Sequence, residues 1–529
     1  MTIVPSPLRQ EYWENFVLHE EDIEFLYNYL LEEETPLTPR ELVSALIEER
    51  IRNAIQELEK QRIGNGEIYL PKGHYIAGQK LVFPAMNWRQ GEVIDVRPAK
   101  NPDEPPFEVI RCRLDDGEER QFAAGLEDHR LNRPHERVRQ DEFLGVHNVL
   151  AQYGGQLEEK LRAYSATDRP GGLVRIAGRL FPRSLLVDVN TGHLNLAEAM
   201  LDMAGGGPLP TATLLEQVGL ASSANARLLE FSLDLALQED GRFDEVGAAG
   251  EVLWYLNRLE PEGVRETPLY LRYHEVEHDR TLLTKPMLDL EQELDDELSP
   301  ADGKSGQADE ATIRLIYPHW RAGTLPLSPR IRNLFPTAYE APRIRFTFVD
   351  RDTKEPFTAW VVRAKKYVFG LRSWYQKHGL IPGSLLHIQR GKKTGEIIIG
   401  SATRRASRDW MRTVLVGSDG GIVFAMLKQT VSAAYDERMA IAVPDVEALD
   451  GVWLRMQKER PPFERVTVNM VRELAKLNPQ SHVHASELYA AVNLVRRCPP
   501  GVLLTFLASR SWFAHVGDLH FRFDDLGQV

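Results

Sequence analysis

A short hairpin pattern occurs twice in this chain, and each copy directly follows an apolar stretch with helical periodicity. The copies are Arg242-Phe243-Asp244-Glu245-Val246-Gly247 and Trp512-Phe513-Ala514-His515-Val516-Gly517. An aromatic residue that closes a helical core, followed by a glycine that tolerates positive φ, is typical of a hairpin placed after a helix. The repetition predicts one folding unit, a set of helices closed by a hairpin, that is used more than once.

The length and cysteine content limit the organisation of the chain. It has 529 residues, which at roughly 100 to 200 residues per domain indicates about three to five domains. Its two cysteines, Cys112 and Cys498, are too far apart to suggest a disulfide framework. There is no uninterrupted apolar run of about 18 residues and no apolar leader. We therefore expect a cytoplasmic, multidomain protein without a membrane span.

Charge is distributed unevenly. The net charge is -13, yet the segment from Val361 to Arg412 holds twelve basic residues against two acidic ones. The segment from Asp289 to Glu310 has the opposite bias, with nine acids against Lys304. Small and polar residues dominate its second half, a composition typical of a linker. The sequence predicts an acidic linker that divides the chain into two arms.

The N-terminal arm combines helical and strand periodicity. Thr38-Pro39-Arg40-Glu41 has the pattern of a helix start, and GNGEIYLPKGHYIAG reads as the hairpin, or wing, after that helix. From Gln79 the period changes to two, and Asp115-Asp116-Gly117 is a hairpin-turn signal, which predicts a small SH3-like or Tudor-like barrel. GQKLVFP and GEVIDV resemble the opening strands of CarD-type transcription-coupling modules. That resemblance implies a docking site for polymerase or nucleic acid; a structural spacer is the alternative.

Further helix-plus-hairpin patterns follow. WFAHVGDLHFRFDD after a Leu-rich helix resembles the wing of the HARE-type winged helix of the RNA polymerase delta subunit, which is also attached to some restriction enzymes, and RFDEVGAAGEVLW is similar. The resemblance implies repeated winged-helix (helix-turn-helix) units in an α+β chain. The predicted domains are 1–78, a helix-plus-wing unit; 79–128, the barrel; 140–205 and 206–260, a second and a third winged helix; 261–311, the acidic linker region; 312–412, a basic pseudobarrel with a trailing helix; 413–460, a connecting segment; and 461–529, the HARE-like unit.

The helices before the hairpins lack the residues that read base edges. The last one offers only Thr505, Ser509 and Arg510 as polar groups, whereas a DNA-reading helix presents Arg, Lys, Asn or Gln. The helix before the first hairpin carries acids that phosphate would repel, namely Glu230, Asp234, Glu239 and Asp240. We therefore expect these units to dock protein or to act as scaffold.

The segment 312–412 alternates strands with two short helices around tryptophans. With His378-Gly379-Leu380-Ile381-Pro382-Gly383 after the second helix, it resembles the pseudobarrel DNA-binding domain of plant auxin-response transcription factors. The pattern predicts that Arg363 and Lys365 share one face of a strand and that Lys392 and Lys393 lie at a hairpin tip. It also predicts a helix that carries Arg404, Arg408 and Arg412 on one face. The predicted nucleic-acid contacts are Arg363, Lys365, Lys366, Arg372, Lys377, Arg390, Lys392, Lys393, Arg404, Arg405, Arg408 and Arg412.

Signs of catalysis are weak. His274-Glu275-Val276-Glu277-His278 satisfies the H-E-x-x-H spacing of zinc proteases, but it follows an extended segment rather than lying in an apolar helix. An exposed charged turn is the favoured interpretation. Phosphate-loop, dinucleotide and hydrolase-elbow patterns are missing. We expect no catalytic residue, no metal and no cofactor.

These patterns favour a non-enzymatic, transcription- or chromosome-associated protein that binds double-stranded DNA mainly through the basic pseudobarrel. RNA polymerase or another protein would dock on the winged helices. One alternative is the DNA-recognition subunit of a restriction or defence system. The other is a protein-interaction scaffold whose basic segment binds an acidic partner.

Overall fold

The fold of this protein is mixed α+β. A computed structural model describes residues 10–63, 66–86, 88–100, 106–132, 145–165, 172–220, 224–248, 250–300, 309–335 and 341–524, without the side chains of 58–63 and 403–406. The chain divides into two compact units, Met1–Leu186 and Val187–Val529. Among the described helices, none is both long enough and apolar enough to cross a membrane.

The first unit combines four helices with two sheets. Its elements are α1 (Gln10–Glu14), α2 (Glu20–Glu33), α3 (Pro39–Ile63), β1 (Glu67–Ile68), β2 (Lys80–Phe83), β3 (Arg89–Pro98), β4 (Glu108–Leu114), β5 (Glu119–Ala124), α4 (Val146–Ser165), β6 (Leu173–Ile176) and β7 (Arg179–Pro182). The predicted start of α3 is confirmed. Glu41 N–H donates to Thr38 Oγ1 at 3.3 Å, and Thr38 N–H donates to the Glu41 carboxylate at 2.7 Å.

Strands β1 to β5 form a small five-stranded sheet, and hydrogen bonds join the segments that follow its two edge strands. They are hydrogen-bonded in sequence order, and the chain after β1 meets the chain after β5. Gly125 N–H donates to Gly73 O at 2.9 Å, and Leu126 N–H donates to Pro71 O at 2.8 Å. Gly117 adopts φ +85° between β4 and β5, as the turn signal predicts. The prediction of a wing around 67–78 is wrong, because β1 pairs with β2 and Tyr69 and Tyr75 pack into the core of this sheet.

The helices on either side of the small sheet belong together. Leu37, between α2 and α3, exchanges two backbone hydrogen bonds with Leu180 of β7, at 2.8 and 3.3 Å. The resulting order is helix, bridging residue, helix, helix, strand, strand, with the small sheet inserted between α3 and α4. The predicted units 1–78 and 140–205 are therefore corrected: 20–63 and 146–182 form one unit interrupted by the sheet.

The second unit contains the remaining elements. They are α5 (Thr191–Met203), β8 (Leu209–Pro210), α6 (Thr211–Val218), α7 (Ala226–Glu239), β9 (Phe243–Glu245), β10 (Leu253–Leu256), α8 (Glu262–Arg265), α9 (Lys285–Leu294), β11 (Glu310–Arg314), α10 (Tyr317–Ala322), β12 (Thr324–Pro326), β13 (Arg343–Asp350), β14 (Pro356–Val362), β15 (Tyr367–Phe369), α11 (Arg372–Lys377), β16 (Leu385–Arg390), β17 (Glu396–Ser401), β18 (Thr403–Val416), β19 (Ile422–Ala433), α12 (Val446–Glu459), α13 (Phe463–Ala475), β20 (His482–His484), α14 (Ala485–Val492), α15 (Pro500–Ser509), β21 (Phe513–Gly517) and β22 (His520–Phe523).

The two hairpin patterns mark two segments of identical element order. Each runs helix, strand, helix, helix, strand, strand, and the sheets have the equivalent orders β8-β10-β9 and β20-β22-β21. Phe243 and Phe513 are both buried, as expected for aromatic residues that close a core. Helix α5 starts the first of these segments, so the predicted boundary at 205 lies too late.

The predicted turn glycine holds for one hairpin only. Gly517 adopts φ +106°, whereas Gly247 does not have a positive φ. At Gly247 a Cβ would lie 2.1 Å from Glu251 O, so the close approach of the two chain segments excludes a larger residue. The two glycines therefore serve different physical needs.

Strands β11 to β17 form a seven-stranded half-barrel. The order is β11-β16-β17-β13-β14-β15-β12, in which β13 and β17 are parallel and the edge strands β11 and β12 do not pair with each other. Alternate residues of β13, Ile344, Phe346 and Phe348, are buried. The short helices predicted between strands are α10 and α11. The aromatic residues of α11, Trp374 and Tyr375, pack into the core of the half-barrel, and Trp374 Nε1 donates to Asp350 at 2.9 Å.

The predicted acidic linker is wrong over its described part. Helix α9 buries Met287, Leu290 and Leu294 in the same core as α13 to α15. Asp296 and Glu297, which composition assigns to solvent, are buried beside Arg497. The stretch from 301 to 308 lies outside the described residues.

The predicted helix over Arg404 to Arg412 is also wrong. Residues Thr403–Val416 form β18, which pairs with β19 in a long two-stranded ribbon. A spacing of four is a multiple of two, so Arg408 and Arg412 share a face in a strand as well as in a helix. The adjacent segment 413–460 is thus not a mere connection, because it provides the rest of the ribbon and α12.

His484, at the start of α14, makes the C-terminal segment sensitive to acid. It is 2% exposed, its Nε2 lies 3.0 Å from Arg438 Nη1, and its Nδ1 lies 2.6 Å from Ser486 Oγ. Burial, followed by the positive charge of Arg438 and by the neighbouring His520, lowers the pKa of His484 to about 4, against weaker opposing effects of Asp518 and Asp436. The folded protein therefore favours the neutral form of His484.

We expect the free energy of unfolding to fall by as much as about 3 kcal/mol as the pH drops from about 6.5 to 4, because the unfolded state then binds a proton that the folded state excludes. Urea midpoints at several pH values would measure this loss. His484→Asn should flatten the decline, and the exposed-loop substitution His278→Asn should not. Parallel curves for the wild type and His484→Asn would contradict the assignment.

Candidate nucleic-acid interface

The structure places the twelve predicted contact residues in different settings. Arg363, Lys365 and Lys366 lie in the turn between β14 and β15, not on a strand, because β14 ends at Val362. All three are exposed. Lys365 Nζ donates to Arg265 O at 3.0 Å, and its pKa is lowered by burial and by Arg343. Arg363 and Lys366 have no side-chain hydrogen bond or ion pair with another described residue.

The predicted hairpin tip at Lys392 and Lys393 is confirmed. It joins the antiparallel strands β16 and β17, and Gly395 adopts φ +75° there. Glu396 turns its carboxylate back to the Lys392 backbone N–H, at 3.3 Å. Both lysine side chains are exposed and make no ion pair with a described residue. This tip therefore presents two adjacent cations to solvent.

The two turns project from the same end of the half-barrel. Val362 lies opposite Arg343, the first residue of β13, and Glu396 lies opposite Thr347 of the same strand. Across the sheet, three strand spacings, or about 14 Å, separate the middle of the β16–β17 hairpin from the middle of the β14–β15 hairpin. Along the strands, the four residues from Arg343 to Thr347 offset the two turns by about 13 Å. Along the surface of the sheet the turns are thus roughly 19 Å apart, and the curvature of the half-barrel shortens the direct distance. A major groove is about 12 Å wide, so the two turns are spaced on the scale needed to contact phosphates on both of its sides.

Several predicted contacts are already engaged within the protein. Lys377 forms an ion pair with Glu355, and Arg412 Nη2 lies 2.8 Å from Glu487. Other guanidinium groups bind backbone oxygens, with Arg372 at 2.7 Å from Arg321 O and Arg390 at 2.8 Å from Asn333 O. Arg412, with a side chain only 13% exposed, is therefore removed from the candidate interface.

The ribbon carries a second basic group. Arg408 and Trp410 lie on one face of β18, and Lys428 of β19 is directly opposite Trp410. Its ammonium lies 5.4 Å from the indole ring centre. Sequence reasoning missed Lys428, because the basic segment was ended at Arg412 and the pairing partner lies on the returning strand. The Arg404 and Arg405 side chains lie outside the described residues.

The basic residues of the half-barrel turns and those of the ribbon form two separate groups. The ribbon leaves the half-barrel beside the start of β16, where Leu385 N–H donates to Ala434 O at 3.0 Å. The Lys392 turn lies at the other end of β16. A strand of six residues spans about 20 Å, so the two groups occupy opposite ends of the sheet.

The helices before the hairpins pack most of their length into cores, although Glu239 at the end of α7 is exposed and Glu230 is half-buried. In α15 every residue from Pro500 to Leu507 is buried, including Thr505. In α7 the predicted phosphate-repelling Asp234 is instead a buried acceptor, and Trp254 Nε1 donates to it at 2.9 Å. Asp240 is held by Arg242, which also reaches Glu198. These faces are packing surfaces.

The H-E-x-x-H sequence does not form a zinc site. Residues Tyr273–His278 are not helical. His274 Nε2 lies 3.3 Å from Gln457 Oε1, and His278 Nδ1 lies 2.9 Å from Val276 O. Over the described ranges, no group of three or more His, Cys, Asp or Glu side chains could hold a metal ion.

Comparison with protein-family models, curated proteins and solved structures gives no match. Function is therefore inferred from the chain's own residues. The two turns present cations on a rigid sheet. Such cations attract phosphate regardless of base sequence.

Proposed function

We propose that this chain is a non-enzymatic, transcription- or chromosome-associated protein that binds double-stranded DNA through the two basic turns of its half-barrel. The observation that carries the proposal is the joint placement of Arg363, Lys366, Lys392 and Lys393. These four exposed side chains share one end of one sheet and have no acidic partner among the described residues.

Local neutralisation of acids supports this assignment. Next to the first turn, Arg343 lies 3.0 Å from Glu260 and also pairs with Asp244, so these two carboxylates do not oppose a phosphate. Burial and the neighbouring Asp244 raise the pKa of Glu260 to about 8, against the opposing effect of Arg343. Asp244 and Glu260 therefore offset little of the positive charge of the first turn, although the chain carries a net charge of -13.

In this proposal the three segments of repeated element order are winged helices that dock protein, RNA polymerase or another partner, rather than read bases. The burial of α15 supports the assignment, because a helix whose apolar residues fill a core cannot insert into a groove. DNA would be held mainly by its phosphates, with little dependence on sequence.

Binding of the full-length chain to a 30-base-pair duplex, measured over a range of salt concentrations, tests the proposal. Four phosphate contacts predict that log K falls with log salt concentration with a slope of about -3.6. Absence of binding at low salt, or a flat slope, would contradict it. Equal competition by polyglutamate would favour the scaffold function, in which the same turns bind an acidic protein.

A further inference from the structure

An aromatic platform lies on the ribbon, away from the two basic turns. We define the Trp410 platform as Arg408, Trp410 and Lys428. Trp410 is 64% exposed, and Arg408 and Lys428 are exposed beside it. Asp409 points to the opposite face of the strand and accepts a hydrogen bond from Ser407 at 3.1 Å. Among the described residues of β18 and β19, the platform face therefore carries positive charge and no acid.

The exposure of Trp410 contrasts with the burial of other tryptophans of the chain. Trp13, Trp254 and Trp453 are fully buried. Further along the same ribbon face, Val414 is buried in the core of the C-terminal segment. Trp410 lies on the part of this face that the C-terminal segment does not bury. Continuous pairing of β18 with β19 holds its backbone in place.

The chemistry of the platform selects a flat, anionic ligand. Lys428 lies over the ring, and a face of the indole remains accessible. A nucleobase stacks on such a ring irrespective of its identity, and flanking cations hold the phosphates on either side. We propose that the Trp410 platform binds single-stranded nucleic acid, with one unpaired base stacked on Trp410 and the neighbouring phosphates held by Lys428 and Arg408.

This inference deepens the proposed function, since it rests on nucleic acid as the ligand, but it uses different residues. The Lys392 turn and the ribbon lie at opposite ends of β16. One chain can thus hold a duplex at the turns and an unpaired strand at the ribbon. A partially melted duplex has both features.

The probe is a fluorescent 12-nucleotide oligo(dT), titrated into the full-length chain. Trp410→Ala should weaken binding about ten-fold, and Trp410→Phe should restore most of the loss because phenylalanine still stacks. Lys428→Ala should reduce the salt slope by about 0.7. The matched control is Val423→Ala, another exposed apolar residue of the ribbon, which should bind like the wild type.

The outcomes separate the two proposals. If Lys392→Gln with Lys393→Gln weakens duplex binding and leaves oligo(dT) binding unchanged, both proposals are supported. Duplex binding with no effect of Trp410→Ala on oligo(dT) overturns the platform and leaves the proposed function intact. An effect of Trp410→Ala on oligo(dT) in a chain that does not bind duplex overturns only the proposed function. An equal effect of Trp410→Ala on polyglutamate binding would identify an acidic protein as the occupant and overturn the platform.

Discussion

Arg497→Met is expected to lower the free energy of unfolding of the second unit by about 3 to 5 kcal/mol, because it leaves two carboxylates buried without their cation. The guanidinium is 0% exposed, and its Nη2 lies 2.6 Å from Asp296 and 2.7 Å from Glu297. Tyr489 OH donates to Asp296 at 2.5 Å, and His319 Nε2 lies 3.1 Å from Glu297. Burial opposes ionisation of Glu297, but Arg497 and His319 outweigh it and hold its pKa below the usual range.

Thermal and urea unfolding of the variant would measure this loss. The matched control is Arg496→Met, the neighbouring arginine, which is half-buried and donates to Pro461 O at 3.0 Å. Its effect should stay below about 1.5 kcal/mol, the contribution of one ordinary hydrogen bond. Adding Asp296→Asn and Glu297→Gln to Arg497→Met should recover part of the stability, because the unpaired charges are then gone. Equal losses for the two arginine variants would show that the buried charges do not matter.

The same cluster shows where composition fails as a guide. Asp296 and Glu297 stand in an acid-rich stretch, which predicts a solvated linker. Their cation lies 201 residues after Asp296, in the loop between α14 and α15, which the sequence places in another domain. A local window contains both acids and cannot contain the arginine. The sequence therefore predicts the charge of the segment correctly and its burial wrongly.

The repeated element order was predictable where its signals are local. The hairpins after α7 and α15 follow from an aromatic residue and a glycine within six positions. The first segment was divided in two because the bridge between Leu37 and Leu180 joins residues on both sides of the inserted sheet. Pairing across an insertion leaves no periodic trace in either strand. The individual helices and hairpins were thus easier to predict than which of them form one folding unit.

The candidate site shows a similar division. The tip at Lys392 and Lys393 was predictable because a glycine-bearing turn between two strand patterns is a local signal. Arg412 was included on its charge and its spacing from Arg408, and its partner Glu487 lies on α14, far along the chain. Lys428 was omitted although it contacts Trp410, because strand register is set by pairing.

Removing the four turn cations is the change expected to affect function most. The variant carries Arg363→Gln, Lys366→Gln, Lys392→Gln and Lys393→Gln, which keep polar side chains of useful length and leave the sheet core untouched. Because none of the four side chains can then neutralise a phosphate, duplex affinity at about 0.1 M salt should fall about 10³-fold, and the salt slope should approach zero. Fluorescence anisotropy with a labelled 30-base-pair duplex would measure both quantities.

A charge-matched control decides whether position or net charge is responsible. Four other exposed cations of the second unit, replaced by glutamine, change the net charge equally: Arg227, Lys285, Lys458 and Arg465. If the turns are the contact, this control keeps most of the affinity, because solvent-exposed charges beyond about 10 Å are largely screened at that salt concentration. Equal weakening in the control would mean that the chain's overall charge governs binding, and the turns would lose their assignment.

Replacing the cations of one turn at a time tests whether one duplex contacts both turns. If the turns lie against the two sides of one groove, removing either pair of cations should reduce the slope by about 1.8, and the two reductions should add. If only one turn contacts DNA, its pair should account for the whole change and the other pair for none. Because both turns are fixed to β13 and its neighbours, the additive result would mean that the duplex contacts two sites at a fixed spacing on one sheet.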